Sequence, residues 1–321
     1  MAKPTVVKTG KGVSYGKWGI IFILPFFVVY TLFNLIPLLS TFYWSFFEYY
    51  KKLGKMTEPV FVGLDNFKEI FSGSDMAQYA VNTFTMWIWG FIPQIIVSLL
   101  LAAWFTDIRL RLKGSGFFKT VIYMPNLIMA SAFAMLFFAL FADRGPVNQI
   151  MMDTFGRAEP YKFLDNTASA RGLVALMNFL MWFGNTTILL MAGMMGIDTA
   201  LFEAAEVDGA TSSQVFFKIT LPLLKPILVY VMITSLVGGI QMFDVPQVLT
   251  RGGESPDRTA MTVVMWLNKH LANRNYGRAG AVSTILFIIT AILSVLVYKS
   301  LSAQSLDMDK SYKKKKKKRR R

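Results

Sequence analysis

Six stretches of this 321-residue chain hold no Asp, Glu, Lys, Arg or His: 18–47, 76–106, 120–142, 172–197, 226–243 and 279–298. A helix needs roughly 20 apolar residues, within a range of about 17–25, to cross the hydrocarbon of a bilayer. There every backbone N–H and C=O must be satisfied without water, which leaves only helices and closed barrels. Barrel strands are about ten residues of alternating polarity, and these runs do not alternate. The expected fold class is an all-α polytopic membrane protein with six transmembrane helices. The two longest runs exceed one crossing, so they should tilt or continue into the interface.

Composition agrees. Charged side chains make up 17% of the chain, against about a quarter in soluble domains. The net charge of +15 does not indicate nucleic acid. Much of it sits in the wholly basic run Lys313–Arg321, whereas a nucleic-acid surface interleaves basic residues with stacking aromatics. That tail reads first as a solvated charge block, and next as a segment drawn to anionic lipid. Cysteine is absent, which excludes disulfides and thiolate metal sites. The first apolar run is too long for a signal-peptide core.

Six crossings place both termini on one side. The chain divides into a cytoplasmic N-terminal segment 1–17, a membrane domain 18–304 and a polybasic cytoplasmic tail 305–321. The loops 48–75, 143–171 and 244–278 would lie outside, and 107–119 and 198–225 inside. Lys and Arg are nearly even on the two sides once the tail is set aside, so the positive-inside rule favours this orientation only weakly. Pro25, Pro37, Pro93, Pro125 and Pro246 sit in or beside the spans and predict kinks, since each removes a backbone donor.

The loop 198–225 looks helical rather than irregular. Asp198 or Thr199 can cap a short helix, and Asp208-Gly209 interrupts it, because glycine is costly in a helix interior. Thr211-Ser212-Ser213-Gln214 matches a capping box for a second helix. This helix-turn-helix could cap the bundle, or present a rigid helix to a soluble partner. The small residues Ala204, Ala205 and Gly209 permit close approach, with Glu203, Glu206 and Asp208 around them.

The run Glu203-Ala204-Ala205, with Gly209 and Ile219-Thr220-Leu221-Pro222 at fixed offsets, resembles the EAA motif of bacterial ABC importer permeases. Gly63-Leu64-Asp65-Asn66-Phe67, Gly145-Pro146-Val147-Asn148 and Leu249-Thr250-Arg251-Gly252-Gly253 are similar to segments of the MalF-like, multiple-sugar branch. The resemblance covers roughly 18–304. It implies a type I importer permease fold and a role as one of two permease subunits. Two cytoplasmic ATPases, which would bind ATP and Mg, and an extracytoplasmic solute-binding protein complete such a transporter. It also implies that Glu203, Ala204, Ala205, Asp208 and Gly209 couple to an ATPase, that the 198–225 loop is cytoplasmic, and that the membrane is the bacterial cell membrane. The cargo would be a sugar or oligosaccharide. Polyamine, peptide and phosphate permeases share the loop and stand as alternatives. An ion-coupled secondary transporter is a further one, although it would ordinarily carry ionisable residues within its spans.

A solute pathway needs polar groups at membrane depth. Asn178, Trp182 and Asn185 recur at i, i+4 and i+7, which places them on one helical face. Amides suit sugar hydroxyls and an indole suits the apolar side of a ring; bonding between helices is the alternative use. The fifth span carries Gly238, Gln241, Phe243 and Asp244: Gly238 and Gln241 share a face, the resemblance places Gln241 near a position of the sugar site, and Asp244 could bind a solute hydroxyl or mark the helix end. Met191, Met194 and Met195 read as packing residues. No catalytic or metal-ligating set stands out. The one histidine, His270, falls in an expected outer loop, and Gly114–Thr120 fails the phosphate-loop pattern. The chain is therefore expected to be no enzyme and to bind no cofactor itself.

Overall fold

The computed structural model describes residues 16–73, 75–107, 110, 113–253 and 257–319, with side chains described from 18 to 301 within those segments. Residues 1–15 of the expected N-terminal segment and the last two of the tail lie outside the described residues. Among these, six helical stretches are long and apolar enough to cross a membrane: Trp18–Trp44, Asp75–Thr106, Ala130–Phe155, Thr167–Met195, Lys225–Leu249 and Tyr276–Leu301. The chain is a multi-pass helical membrane protein.

The first crossing joins α1 (Gly16–Tyr30) to α2 (Ile36–Trp44) through a π-helical turn, Thr31–Leu35. Pro37 follows that turn and has no N–H to donate backward, a sufficient local reason for the irregularity. Phe22 and Phe33 are 78% and 74% exposed, so this helix offers its apolar surface to lipid or to another chain. After it, β1 (Phe47–Glu48) pairs antiparallel with β4 (Val60–Phe61), and β2 (Lys51–Lys52) pairs with β3 (Lys55–Met56). Helix α3 (Asp65–Ser72) follows. Asn66, from the Gly63–Phe67 segment, donates through Nδ2 to the carbonyls of Ser45 and Phe47 at 3.0 Å each, fastening the hairpin to the end of α2.

Helix α4 (Asp75–Thr106) runs 32 residues with Pro93 inside it, about 48 Å at 1.5 Å per residue. The third apolar run is not one helix. α5 (Ser115–Leu127) stops and α6 (Ala130–Phe141) begins anew, with Ile128 extended between them. Pro125 cannot donate to the preceding turn, and Asn126 holds the break by donating to the Met181 carbonyl at 3.1 Å. By length and hydropathy the candidate span in this region is Ala130–Phe155, which takes in α7 (Pro146–Phe155).

α8 (Thr167–Met195) is the central helix. Asn166 caps it, accepting from the N–H groups of Ala168 and Ser169 at 3.0 and 3.2 Å. Two glycines set its neighbours. A Cβ at Gly184 would collide with the Ile122 carbonyl of α5, and one at Gly90 of α4 would lie 2.8 Å from the Ala175 carbonyl of α8. No larger residue fits either contact.

Beyond α8 come α9 (Thr199–Val207), α10 (Ser212–Val215), a π-helical turn Phe216–Thr220, α11 (Leu221–Leu223) and α12 (Lys225–Ile240). The fifth apolar run also breaks. α12 ends at Ile240 and α13 (Asp244–Leu249) restarts the chain. The Met242 carbonyl at the break accepts from the Thr262 hydroxyl at 2.9 Å. α14 (Val263–Ala272) and α15 (Tyr276–Arg319) complete the fold. The expected outer loops are thus partly helical, because α3, α7, α13 and α14 fall within them. Of the three methionines read as packing residues, Met191 and Met194 are buried while Met195 is 73% exposed, since it lies at the end of α8.

The loop before α14 is sewn to the bundle by one polar node. Asn82 of α4 donates to the carbonyls of Arg258 and Met261 at 2.9 and 3.1 Å. Its own carbonyl accepts from the Arg171 guanidinium, which also donates to the Thr259 carbonyl at 2.7 Å. Asn82 is 1% exposed. Asn82→Ala orphans two carbonyls and one guanidinium face, and each unsatisfied buried group costs about 1–3 kcal/mol. The variant should insert normally and lose roughly 2 kcal/mol or more of stability, read as a lower Tm in detergent. An unchanged Tm would show that water replaces the node.

Candidate functional site

A cavity of about 320 Å³ opens between α4, α8 and α12. Asn178, Trp182 and Asn185 of α8 all line it, as their spacing requires, and Gly238 of α12 faces them. The α4 wall, which the sequence did not single out, consists of Trp87, Gly90, Phe91 and Gln94. A signal for it exists, since these residues recur at i, i+3, i+4 and i+7 around one of the close-approach glycines. Tyr230, Thr234 and Ser235 of α12 add hydroxyls that no motif marks.

The wall is built by neutral hydrogen bonds. The Trp87 indole N–H donates to the Ser235 hydroxyl at 3.1 Å. Gln94 donates to the Thr186 hydroxyl at 2.8 Å. Trp87 stacks on Phe91 with centroids 5.5 Å apart. Gly239 makes room for that indole, because a Cβ there would collide with Trp87 Cδ1. The Asn178 amide donates to the Val174 carbonyl one turn back at 3.0 Å and to Met242 Sδ at 3.3 Å. Asn185 is half-buried and makes no hydrogen bond to the described residues. Trp182 is 48% exposed, so its indole is free to take a flat apolar surface.

Gln241, Phe243 and Asp244 lie outside this cavity. The chain breaks between α12 and α13 at these residues, and of this stretch only Met242 lines the cavity. Gln241 and Asp244 are exposed, and Phe243 packs against the cluster containing Val282 and Ile285. Asp244 opens α13, where its charge meets the positive end of the helix dipole.

The second candidate element is the helix-turn-helix between α8 and α12. Asp198 caps α9, accepting from the Ala200 N–H at 3.0 Å. The helix ends in a Schellman motif: Gly209 N–H donates to the Glu206 carbonyl at 3.0 Å and Ala210 N–H to the Ala205 carbonyl at 2.9 Å. Gly209 sits at φ +72°, with open space where a side chain would begin. Within this chain its requirement is therefore the left-handed backbone, in addition to the close approach of a partner that its size permits. Thr211 and Gln214 form the anticipated capping box, at 2.9 and 3.3 Å. Within α9 only Ala205 is buried; Glu203, Ala204, Glu206 and, just beyond, Asp208 are exposed. Leu201 is 44% and Val207 88% exposed. Ala204 stands with them on a small apolar surface rimmed by acid.

His270 lies on α14 rather than in an irregular loop. Its Nε2 is buried without a partner. Burial pushes its pKa below the ordinary 6.5, and the Arg278 charge pushes the same way against the opposing pull of Glu69. Among the described residues no group of His, Asp and Glu could hold a metal ion.

The family described as "Binding-protein-dependent transport system inner membrane component" matches residues 94–306. The chain is 28% identical to the lactose transport system permease protein LacF of Rhizobium radiobacter, over 88% of this chain and 94% of that protein. It is 29% identical to the arabinooligosaccharides transport system permease protein AraP of Bacillus subtilis, over 87% of each. It is 30% identical to a probable ABC transporter permease, YurN, of Bacillus subtilis, over 87% of this chain and 94% of that protein. In fold it matches a chain of a bacterial ABC transporter involved in the import of the acidic polysaccharide alginate, with a TM-score of 0.76 at 21% identity, covering 89% and 96% of the two chains.

The backbone requirement at Gly209 has a direct test. A left-handed conformation costs an ordinary L-residue roughly 1–2 kcal/mol, and asparagine adopts it more readily. Hydrogen exchange at the amides of positions 209 and 210 should stay slow in Gly209→Asn and accelerate about tenfold in Gly209→Val, the factor that 1.4 kcal/mol represents. Equal protection in both variants would mean that the turn tolerates strain.

Proposed function

The chain belongs to the family of binding-protein-dependent transport system inner membrane components, and we propose that it forms half of a sugar or oligosaccharide import pathway driven by partner ATPases. In this reading it pairs with a second permease subunit, receives solute from an extracytoplasmic binding protein and docks its α9–α10 knob on an ATPase. ATP and Mg belong to that ATPase, and this chain contributes no catalytic group. The knob faces the cytoplasm of a bacterial cell, and both termini lie on that side.

One observation carries the proposal: the knob and the cavity share the same two helices. α8 enters the knob carrying Asn178, Trp182 and Asn185, and α12 leaves it carrying Tyr230, Ser235 and Gly238. The knob is closed by a Schellman turn and a capping box, so it has little freedom to absorb a push within itself. Rigid elements transmit displacement when they have two packed arrangements. A shift of the ATPase surface under α9 moves the ends of α8 and α12, and with them two walls of the cavity. Leu201, Ala204 and Val207 supply an apolar contact, and Glu203 and Glu206 a charged rim, the composition expected of a helix set into a groove.

The sugar reading has support in the chemistry of the wall. An indole with an open face and amide and hydroxyl groups are what a ring with apolar and hydroxylated sides requires. The relatives named for lactose and arabinooligosaccharides point the same way. Ion-coupled transport has no titratable relay to use among the cavity's described residues.

Two variants separate the functions. Glu203→Lys should leave membrane insertion and pairing intact while reducing ATPase recovery in a pull-down by at least about tenfold, since in this reading the acidic rim answers basic groups on the ATPase and the reversed charge sets like against like, at several kcal/mol. Recovery at the wild-type level would remove Glu203 from the interface. Asn178→Leu combined with Asn185→Leu should spare complex assembly and abolish ATP-driven uptake of labelled saccharide in proteoliposomes. Normal transport kinetics would exclude this face from the pathway.

A further inference from the structure

Resting on the saccharide reading above, the geometry points to an uncharged cargo: a sugar whose rings carry hydroxyls and no carboxylate, sulfate or phosphate. No described residue lining the cavity is Asp, Glu, Lys, Arg or His. The three wall segments contain none at any position from 76 to 106, from 172 to 197 or from 226 to 243. The charges nearest along the helices are committed elsewhere. Arg171 lies two turns before Asn178, about 10 Å along the axis, and its guanidinium is taken by the Asn82 and Thr259 carbonyls. Lys225 precedes Tyr230 by more than one turn and has an interaction of its own.

The polar groups present also have the wrong character for an anion. The Trp87 N–H goes to Ser235 and one of the two Gln94 amide hydrogens to Thr186, the Asn178 amide is engaged with its own helix and Met242, and the donors left over are neutral hydroxyls and amides. Asn185 remains with both a donor and an acceptor to offer. A sugar hydroxyl donates and accepts and can answer such a group in either sense, whereas a carboxylate only accepts. An anion entering this cavity would surrender its water against amides, hydroxyls and indoles, with no cation from this wall to offset the loss. Discrimination against the acidic counterpart should therefore reach at least about a hundredfold.

The test uses the purified permease–ATPase complex in detergent without its binding protein, so that the permease's own preference is read. Lactose, maltose and arabinobiose are titrated as neutral probes, and digalacturonate and a glucuronate-containing disaccharide as acidic ones. Tryptophan fluorescence reports occupancy beside Trp87 and Trp182. At least one neutral probe should quench with an apparent affinity at least about a hundredfold above both acidic probes. Asn185→Arg, which supplies the missing cation, should narrow that ratio about tenfold or more. Acidic probes binding as tightly as the best neutral one would overturn the inference and leave the saccharide reading standing. Quenching by none of the five, with the complex intact by size exclusion, would overturn the saccharide reading itself and the inference with it.

Discussion

Helix ends and breaks set the terms for this fold, because the backbone groups they free must find partners. A buried carbonyl left unpaired costs about 1–3 kcal/mol, within the bilayer it has no water to turn to, and this chain answers at span ends, in loops and at breaks with side-chain amides and hydroxyls. Asn66 holds the end of α2, Asn126 the α5–α6 break, Asn82 the loop before α14, and Thr262 the α12–α13 break. Asn148 serves both sides of its loop, donating to the Ala142 and Tyr161 carbonyls at 3.0 Å and accepting from the Tyr161 N–H at 2.8 Å. Most of these contacts join segments distant in sequence, so the irregular parts of the fold are also the fastened parts.

This arrangement leaves α8 as the common structural member. Gly184 admits α5, Gly90 of α4 admits its backbone, and Arg171 ties its first turns to the loop before α14. The same helix carries the cavity's amide face in its middle and the exposed knob beyond its far end. Function then follows from placement. A helix held closely on several sides moves as one body, and whatever displaces the knob displaces the cavity wall. The cavity gains its shape from glycines: Gly90, Gly238 and Gly239 keep side chains out so that Trp87, Trp182 and Asn185 can face one space.

Several features were legible in the sequence because they depend on local chemistry. The Thr211–Gln214 capping box is such a case, as is the i, i+4, i+7 face of Asn178, Trp182 and Asn185. Other features were not legible. A run free of charge reads as one span whether or not its helix is continuous; Pro125 and Pro246 predict a kink near Ile128 and near Met242–Phe243, but not that the helix ends there and starts again. For the same reason Gln241, Phe243 and Asp244 could not be assigned to a face. Periodicity across a helix break carries no phase, and these three residues do not line the cavity. Trp87 and Gln94 stayed hidden because a buried polar position in an apolar helix is equally suited to packing, and only the partner helix shows which use it has.

Read along the chain, hydrophobic length and capping chemistry were enough to establish six crossings, the class of fold and a helix-turn-helix between the fourth and fifth spans. Both act over a few residues, so a linear pattern records them. Folding in three dimensions was needed to bring the polar groups together, to commit Arg171 to Asn82 and Thr259, and to make α4 the third wall of the cavity. These depend on interhelical distances set by single glycines and by the partner each buried amide finds, and such pairings between remote residues leave no trace in local pattern.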